Sequence, residues 1–200
     1  MQRSIKEIFD SVAETYQNDW VNKKKEVEKI RGLVKKFGLD KGMKVVEAGC
    51  GKGDFSPYIL EHIGLDGFLW MVDISGKMLK FAENKMVHIS NSRCLLANIE
   101  NVELEQKIDM VICFNCFPHF ENKTRTLKNI YHLLKKKGLL VISHSQNREH
   151  INKMHREFGF EMRMHHIPDK SWFDIILKKT GFLLEKYVNN GYFLVKARKI

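Results

Sequence analysis

Val45-Val46-Glu47-Ala48-Gly49-Cys50-Gly51-Lys52-Gly53-Asp54 decides the fold. A short β-branched run leads straight into three glycines at alternate positions, which is the pattern of a buried strand turning into a helix. A Gly-x-Gly-x-Gly run at that point lets the backbone bend sharply and approach a ligand without side-chain interference. Backbone N–H groups at the start of the following helix favour an anionic group, phosphate or carboxylate. Glu47, two positions before the first glycine, suits a ligand's ammonium group and would repel a pyrophosphate. The glycines by themselves also fit a plain tight turn, so the surrounding chain has to decide.

Outward from this turn the chain alternates strands and helices. Residues 54–63 fit a helix with Phe55, Ile59 and Ile63 on one side, and residues 67–73 fit a second buried strand ending in Asp73. Ser75 is a natural N-cap for a helix over 77–84 with Met78, Leu79 and Ala82 inward. Strands follow at 93–97, 108–114 and 138–143, with a helix over 124–134 between the last two. Near-continuous apolar runs of this kind belong to a parallel sheet covered on both faces. The end of the chain differs. A helix over 171–180 stops at Gly181, and residues 182–188 and 192–197 face each other across Asn189-Asn190-Gly191, a hairpin signal. On the N-terminal side, residues 1–36 are helical and amphipathic, with Val27, Ile30, Val34 and Phe37 continuing on a second helix closed by Gly38. The expectation is one α/β domain over 1–200: a helical cap (1–38), a core (39–145), and a substrate-side segment with the hairpin (146–200).

Asp73 stands 20 residues beyond Gly53, where a carboxylate at a strand end can accept from two ribose hydroxyls. A nicotinamide dinucleotide enzyme would share that layout, but its fingerprint is G-x-G-x-x-G. Residues 45–53 resemble the first motif of class I S-adenosylmethionine-dependent methyltransferases, and residues 73–82 resemble the second. The resemblance runs on through 108–120 and 134–143, and Phe9-Asp10-Ser11-Val12-Ala13-Glu14-Thr15-Tyr16 is similar to the N-terminal helix of the ubiquinone/menaquinone-biosynthesis-like branch.

The resemblance implies a Rossmann-like α/β sandwich with a mostly parallel seven-stranded sheet. It implies S-adenosyl-L-methionine as cofactor, with Gly49, Cys50, Gly51 and Gly53 along its methionine and ribose portion and Glu47 near its amino group. Asp73 would hold the ribose, Ile74 an adenine face, and Met78, Asn98 and Ile99 the surrounding wall. Asn98 departs from the family's usual Asp at the adenine amino group, and an Asn carbonyl can take the same bond. Asn115 would contact the cofactor, and Tyr16 would cover its methionine end. The acceptor is expected to be a small molecule of unspecified acceptor atom.

Ligands of open α/β sheets sit beyond the carboxyl ends of the strands. His119, five residues after Phe114, and His144, directly after the fifth strand, are therefore candidate general bases expected in one substrate cavity, with His155 further along. Each competes with a purely structural role, and His119/His144/His155 together with a metal-assisted reading. Arg148 either starts a helix or clamps a substrate carboxylate. Residues 158–169 are a lid or a plain connection.

The formal charge of +10 raises an RNA methyltransferase as the alternative, although lysine runs such as Lys135-Lys136-Lys137 are most simply solvated faces, this one at a helix end where the dipole favours cations. Signatures of nucleobase methylation are missing: the fourth strand continues Asn115-Cys116-Phe117-Pro118. The four cysteines fit buried thiols of a reducing compartment. With no apolar run long enough to span a bilayer and no signal-like start, the expected location is the cytoplasm.

Overall fold

The computed structural model describes residues 3–16, 23–157 and 162–200. Two helices come first, α1 (Ile5–Val12) and α2 (Lys24–Val34). The alternating core follows as β1 (Lys44–Ala48), α3 (Ser56–Ile63), β2 (Phe68–Asp73), α4 (Gly76–Met86), β3 (Ser92–Leu96) and β4 (Ile108–Phe114). A 3-10 turn (Phe117–His119) leads to α5 (Lys123–Leu133) and β5 (Leu134–His144). The chain ends with α6 (Arg148–Glu157), α7 (Lys170–Lys179), β6 (Phe182–Asn189) and β7 (Phe193–Lys199).

The strands form one seven-stranded sheet in the order β3-β2-β1-β4-β5-β7-β6. The first five are parallel, and β7 runs antiparallel to both β5 and β6. The α/β sandwich with a terminal hairpin is thus as expected. The carboxyl ends of β1, β2 and β4 converge where the strand order reverses, so a crevice opens there.

The parallel strands are nearly all apolar because both faces are covered. One face carries α2, α3 and α4 through Ile30, Leu33, Ile59, Ile63, Leu79 and Ala82. The other carries α5, α6 and α7 through Leu127, Ile130, Ile151, Phe173 and Ile176. Burying each of these side chains stabilises the fold by about 1.5–3 kcal/mol, which fixes the strand ends that the site depends on.

One local expectation is corrected. Lys135, Lys136 and Lys137 do not cap a helix: α5 ends at Leu133, and the lysines lie exposed in the first part of β5, beside a register shift against β4. Leu134 pairs with Ile108 and anchors that early start. The N-terminal region holds two helices, as expected, with residues 17–22 between them outside the described residues.

Candidate functional site

Three glycines shape the β1–α3 turn for three different reasons. Gly49 has φ +66, and a Cβ there would lie 2.6 Å from Cβ of Cys116. Gly51 has φ +53 and nothing within 4 Å of its missing Cβ, leaving its bare backbone open toward the crevice. Gly53 is different again: a Cβ would meet Met71 and Ala82, so it serves close packing of the turn on β2 and α4 and does not line the cleft.

Asp73 ends β2 and is held by this turn. Its Oδ2 accepts from Gly51 N at 2.8 Å and its Oδ1 from Ser75 N at 2.8 Å. Burial outweighs these bonds and raises its pKa. Ser75 then caps α4 by accepting from Met78 N, the N-cap expected of it. Its hydroxyl also donates to Asp10 Oδ1 of α1 at 2.6 Å. Asp10 is a site residue that sequence reasoning missed. It stood within the N-terminal helix signature, but only tertiary contact reveals what it holds.

Glu47 is 2% exposed, its Oε2 accepting from the Ser56 hydroxyl at 2.5 Å. Burial pushes its pKa up to about 8, with Asp73 and Asp54 adding to the rise. A carboxylate so placed gains from a cation beside it.

The cleft at these strand ends has a volume of about 1010 Å3, its open mouth included. Tyr16, Glu47, Gly49, Cys50, Gly51, Asp73, Ile74, Met78, Asn98, Ile99, Asn115 and His119 all line it. So do residues not foreseen: Ile5 and Phe9 of α1, Cys116, Phe120 and the carboxylates Asp54, Glu100 and Glu121. No spacing rule marks these last residues, because they reach the cleft from separate loops. With Glu47 and Asp73 the lining holds five carboxylates against one lysine, Lys52. Such a lining fits a ligand carrying ammonium and sulfonium charges and opposes a pyrophosphate. Asn98 Oδ1 accepts from Glu100 N at 2.9 Å, which leaves it one further lone pair. Asn115 sits at φ +54, uncommon for a residue with a side chain, and its Oδ1 accepts from Ser145 N.

The histidines divide. His119 lines the cleft, edge-on to Phe9 at 5.2 Å between ring centroids. His144 does not: it turns inward against Phe193, is 2% exposed, and leaves its Nε2 buried without a partner. The expectation that both share one cavity is therefore corrected, since β5 aims its last side chain into the interior. Burial holds both imidazoles neutral, lowering His144 to about 3 and His119 well below its usual range. Among the described residues no group of three or more His, Cys, Asp or Glu side chains is arranged to hold a metal ion. Arg148 starts α6 and directs its Nε to the carbonyls of Ile167 and Pro168, so it is not a clamp in the cleft. Those bonds, with Asn152 gripping Ile167 in both directions, fasten Ile167 and Pro168 onto α6. Residues 158–161, within the expected lid or connection, lie outside the described residues.

Residues 39–189 match the family model described as a methyltransferase domain. The chain is 26% identical to malonyl-[acyl-carrier protein] O-methyltransferase 1 of Ilyobacter polytropus, over all of this chain and 77% of that protein. It is 24% identical to the ubiquinone/menaquinone biosynthesis C-methyltransferase UbiE of Vibrio campbellii, over 92% of this chain and 82% of that one. In fold it resembles a SAM-dependent methyltransferase from Aquifex aeolicus (TM-score 0.77, 20% identity, 96% of this chain and 98% of that one). It also resembles the N-methyltransferase NodS of Bradyrhizobium japonicum bound to S-adenosyl-L-homocysteine (TM-score 0.73, 13% identity, 98% of this chain and 99% of that one). No helix among the described residues is long and apolar enough to cross a membrane.

Proposed function

The chain belongs to the methyltransferase-domain family and is an S-adenosylmethionine-dependent enzyme, and from that premise we propose that it methylates a small molecule held between α1 and the β4–α5 connection. The observation that carries this reading is the division of one cleft into two chemically unlike parts: acid and bare backbone at the ends of β1 and β2, aromatic and imidazole side chains around Phe9, His119 and Phe120.

In this reading Gly49, Cys50 and Gly51 line the methionine and ribose portion, with Gly53 holding their turn in shape. Glu47 faces the ammonium group, Asp73 the ribose hydroxyls, and Ile74, Met78, Asn98 and Ile99 the adenine. Asn115 and Tyr16 close the methionine end, Tyr16 fastened by Lys52 Nζ donating to its carbonyl at 2.8 Å. The bound cofactor supplies a methyl group already activated on a sulfonium centre. The protein's task is then to align an acceptor and keep water out. His119 is the base at the acceptor end, its neutral ring able to take a proton from the acceptor atom. The acidic lining favours a small acceptor over RNA, whose phosphates it would repel. The names of the two relatives concern malonyl-[acyl-carrier protein] and ubiquinone/menaquinone biosynthesis, which is in keeping with a small-molecule acceptor.

The test is calorimetric titration with S-adenosylhomocysteine, followed by release of that product from S-adenosylmethionine in the presence of small-molecule acceptors. Tight binding is expected, with His119→Ala sparing affinity and lowering turnover about a hundredfold, the lower end for a lost general base. Failure of the wild-type protein to bind S-adenosylhomocysteine would overturn the reading.

A further inference from the structure

Four imidazoles gather behind the acceptor end of the cleft, more than methyl transfer by one base requires. His119, at the end of the 3-10 turn, lies 5.0 Å from His155 of α6 and 5.4 Å from His165, centroid to centroid. His155 is also the charged-state neighbour of His144 at the end of β5. His155 thus stands among the other three. It is 5% exposed, on an α6 already clamped to Ile167.

The hydrogen bonds restrict where the protons sit. His155 Nδ1 pairs with the carbonyl oxygen of His165. A carbonyl only accepts, so Nδ1 carries the proton and Nε2 keeps a lone pair. The carbonyl of Pro118, inside the same turn as His119, favours the protonated form of His165. His119 Nδ1 is sealed from solvent and has no partner. Buried polar nitrogens in folded proteins are nearly always satisfied, and the acceptor at hand is the lone pair on His155. Rings 5.0 Å apart come within hydrogen-bond reach by a modest swing. Bonds of this kind commonly tighten only when a site is filled. Among the described residues, the charged groups acting on His119 and His165 are imidazoles and a lysine, with no carboxylate among them. The ionisable groups around it are His144 from β5, His155 from α6, His165 and His166 from the following segment, and Lys123 from α5, all of which oppose added positive charge.

Resting on the methyltransferase reading above, we propose that His155 is a positioning residue that keeps the proton of His119 on Nδ1, presents Nε2 to the cleft as a lone pair, and so selects an acceptor whose reacting atom bears a dissociable proton. The class is a hydroxyl, thiol or N–H compound, or an acidic C–H compound, rather than a carboxylate that arrives already ionised. As the acceptor atom bonds to the methyl carbon, the carbon–sulfur electron pair stays with sulfur. The acceptor's own proton moves to His119 Nε2. His119 is then an imidazolium whose Nδ1–H is held by His155 Nε2, and the positive charge lost from sulfur resides there until the product leaves.

Nitrogen-15 NMR of histidine-labelled protein tests this without an identified acceptor. Spectra are recorded alone and with S-adenosylhomocysteine, and His119 is assigned by comparison with His119→Gln. The expected result is a His119 ring protonated at Nδ1 and bare at Nε2 near neutral pH. His155→Phe keeps the ring volume without the lone pair and should shift His119 to the Nε2-protonated form. His155→Gln, whose amide offers both a donor and an acceptor, should restore it. A wild-type His119 protonated at Nε2 would overturn the proposal, as would a tautomer indifferent to His155→Phe, or a metal found on the histidines by native mass spectrometry. The wild-type spectrum alone decides if His155→Phe does not fold. Failure of the wild type to bind S-adenosylhomocysteine would instead overturn the proposed function, and leaves the tautomer measurement intact.

Discussion

The two ends of the cleft are built from different materials. The β1–β2 end uses backbone N–H groups, glycines and carboxylates contributed by neighbouring turns, and it is acidic. The β4 end uses rings from α1, the 3-10 turn and α6, and burial keeps its imidazoles uncharged. A cofactor with fixed charges can be met by a fixed set of local groups. An acceptor that must lose a proton needs a neutral, partly dry surface assembled from distant segments. The comparison predicts that the two ends can be damaged separately.

The largest effect belongs to Asp73→Ala. It removes a carboxylate that would accept two ribose hydroxyls, each such charged hydrogen bond being worth about 1.5–3 kcal/mol, and it frees Gly51 N and Ser75 N. Affinity for S-adenosylhomocysteine should fall at least about a hundredfold by titration calorimetry, the equivalent of roughly 2.7 kcal/mol. His119→Phe measured in parallel should leave that affinity within a few-fold. Equal losses in both variants would break the division.

Glu47 sharpens the contrast through pH. Its pKa rises from 4.5 to about 8 in the ligand-free protein. A carboxyl group raised on folding contributes stability below its unfolded pKa and loses it as pH climbs through the folded value. The free protein should therefore lose stability between about pH 4.5 and 8. A bound ammonium group favours the ionised form, so binding below pH 8 expels a proton. S-adenosylhomocysteine affinity should climb with pH over that window, by up to about tenfold per unit, and level off above it. Glu47→Gln should flatten the slope and bind almost as wild type near the acid end. A wild-type affinity independent of pH would show that Glu47 stays protonated in the complex. The neutral imidazoles of the other end contribute no such slope, because their pKa values are already depressed below neutrality.

The same division explains what could be read in the chain. The β1 turn, Asp73 and the Ser75 cap follow from residue type and spacing: Asp73 ends β2 and Ser75 caps α4 as expected, whereas Gly53 packs on Met71 and Ala82 and does not line the cleft. The terminal hairpin was equally legible, from Asn189-Asn190-Gly191 between two apolar runs. His144 was not, because the position of a residue at a strand's end does not say which way the last side chain turns, and here it faces Phe193. His165 carried no signal at all: its place beside His119 depends on α6 gripping Ile167 and Pro168 through Asn152 and Arg148. The lysines at 135–137 misled for a related reason, since Leu134 pairs with Ile108 and draws them into β5.

Asp10 joins the two ends and sets the smallest expected effect. Its Oδ1 accepts from Ser75 Oγ and, at 3.3 Å, from Lys77 N, while Lys6 pairs with its other oxygen at 2.8 Å. These bonds hold its carboxyl at about 2, so it stays ionised throughout the physiological range. Through them the helix that brings Ile5 and Phe9 over the cleft is tied to the turn that carries Asp73. Asp10→Ala should leave the core folded, since Asp10 lies outside both apolar cores, and weaken S-adenosylhomocysteine binding about fivefold, the equivalent of one modest hydrogen bond of about 1 kcal/mol. Asp10→Asn, which keeps an oxygen for Ser75, should recover most of that loss. Limited proteolysis offers a second view: α1 of the alanine variant should be cut faster, and S-adenosylhomocysteine should protect it less than it protects the wild type. If the alanine variant binds as tightly as wild type and is cut no faster, α1 is held by its apolar contacts alone, and the two ends of the cleft are coupled by packing rather than by this hydrogen bond.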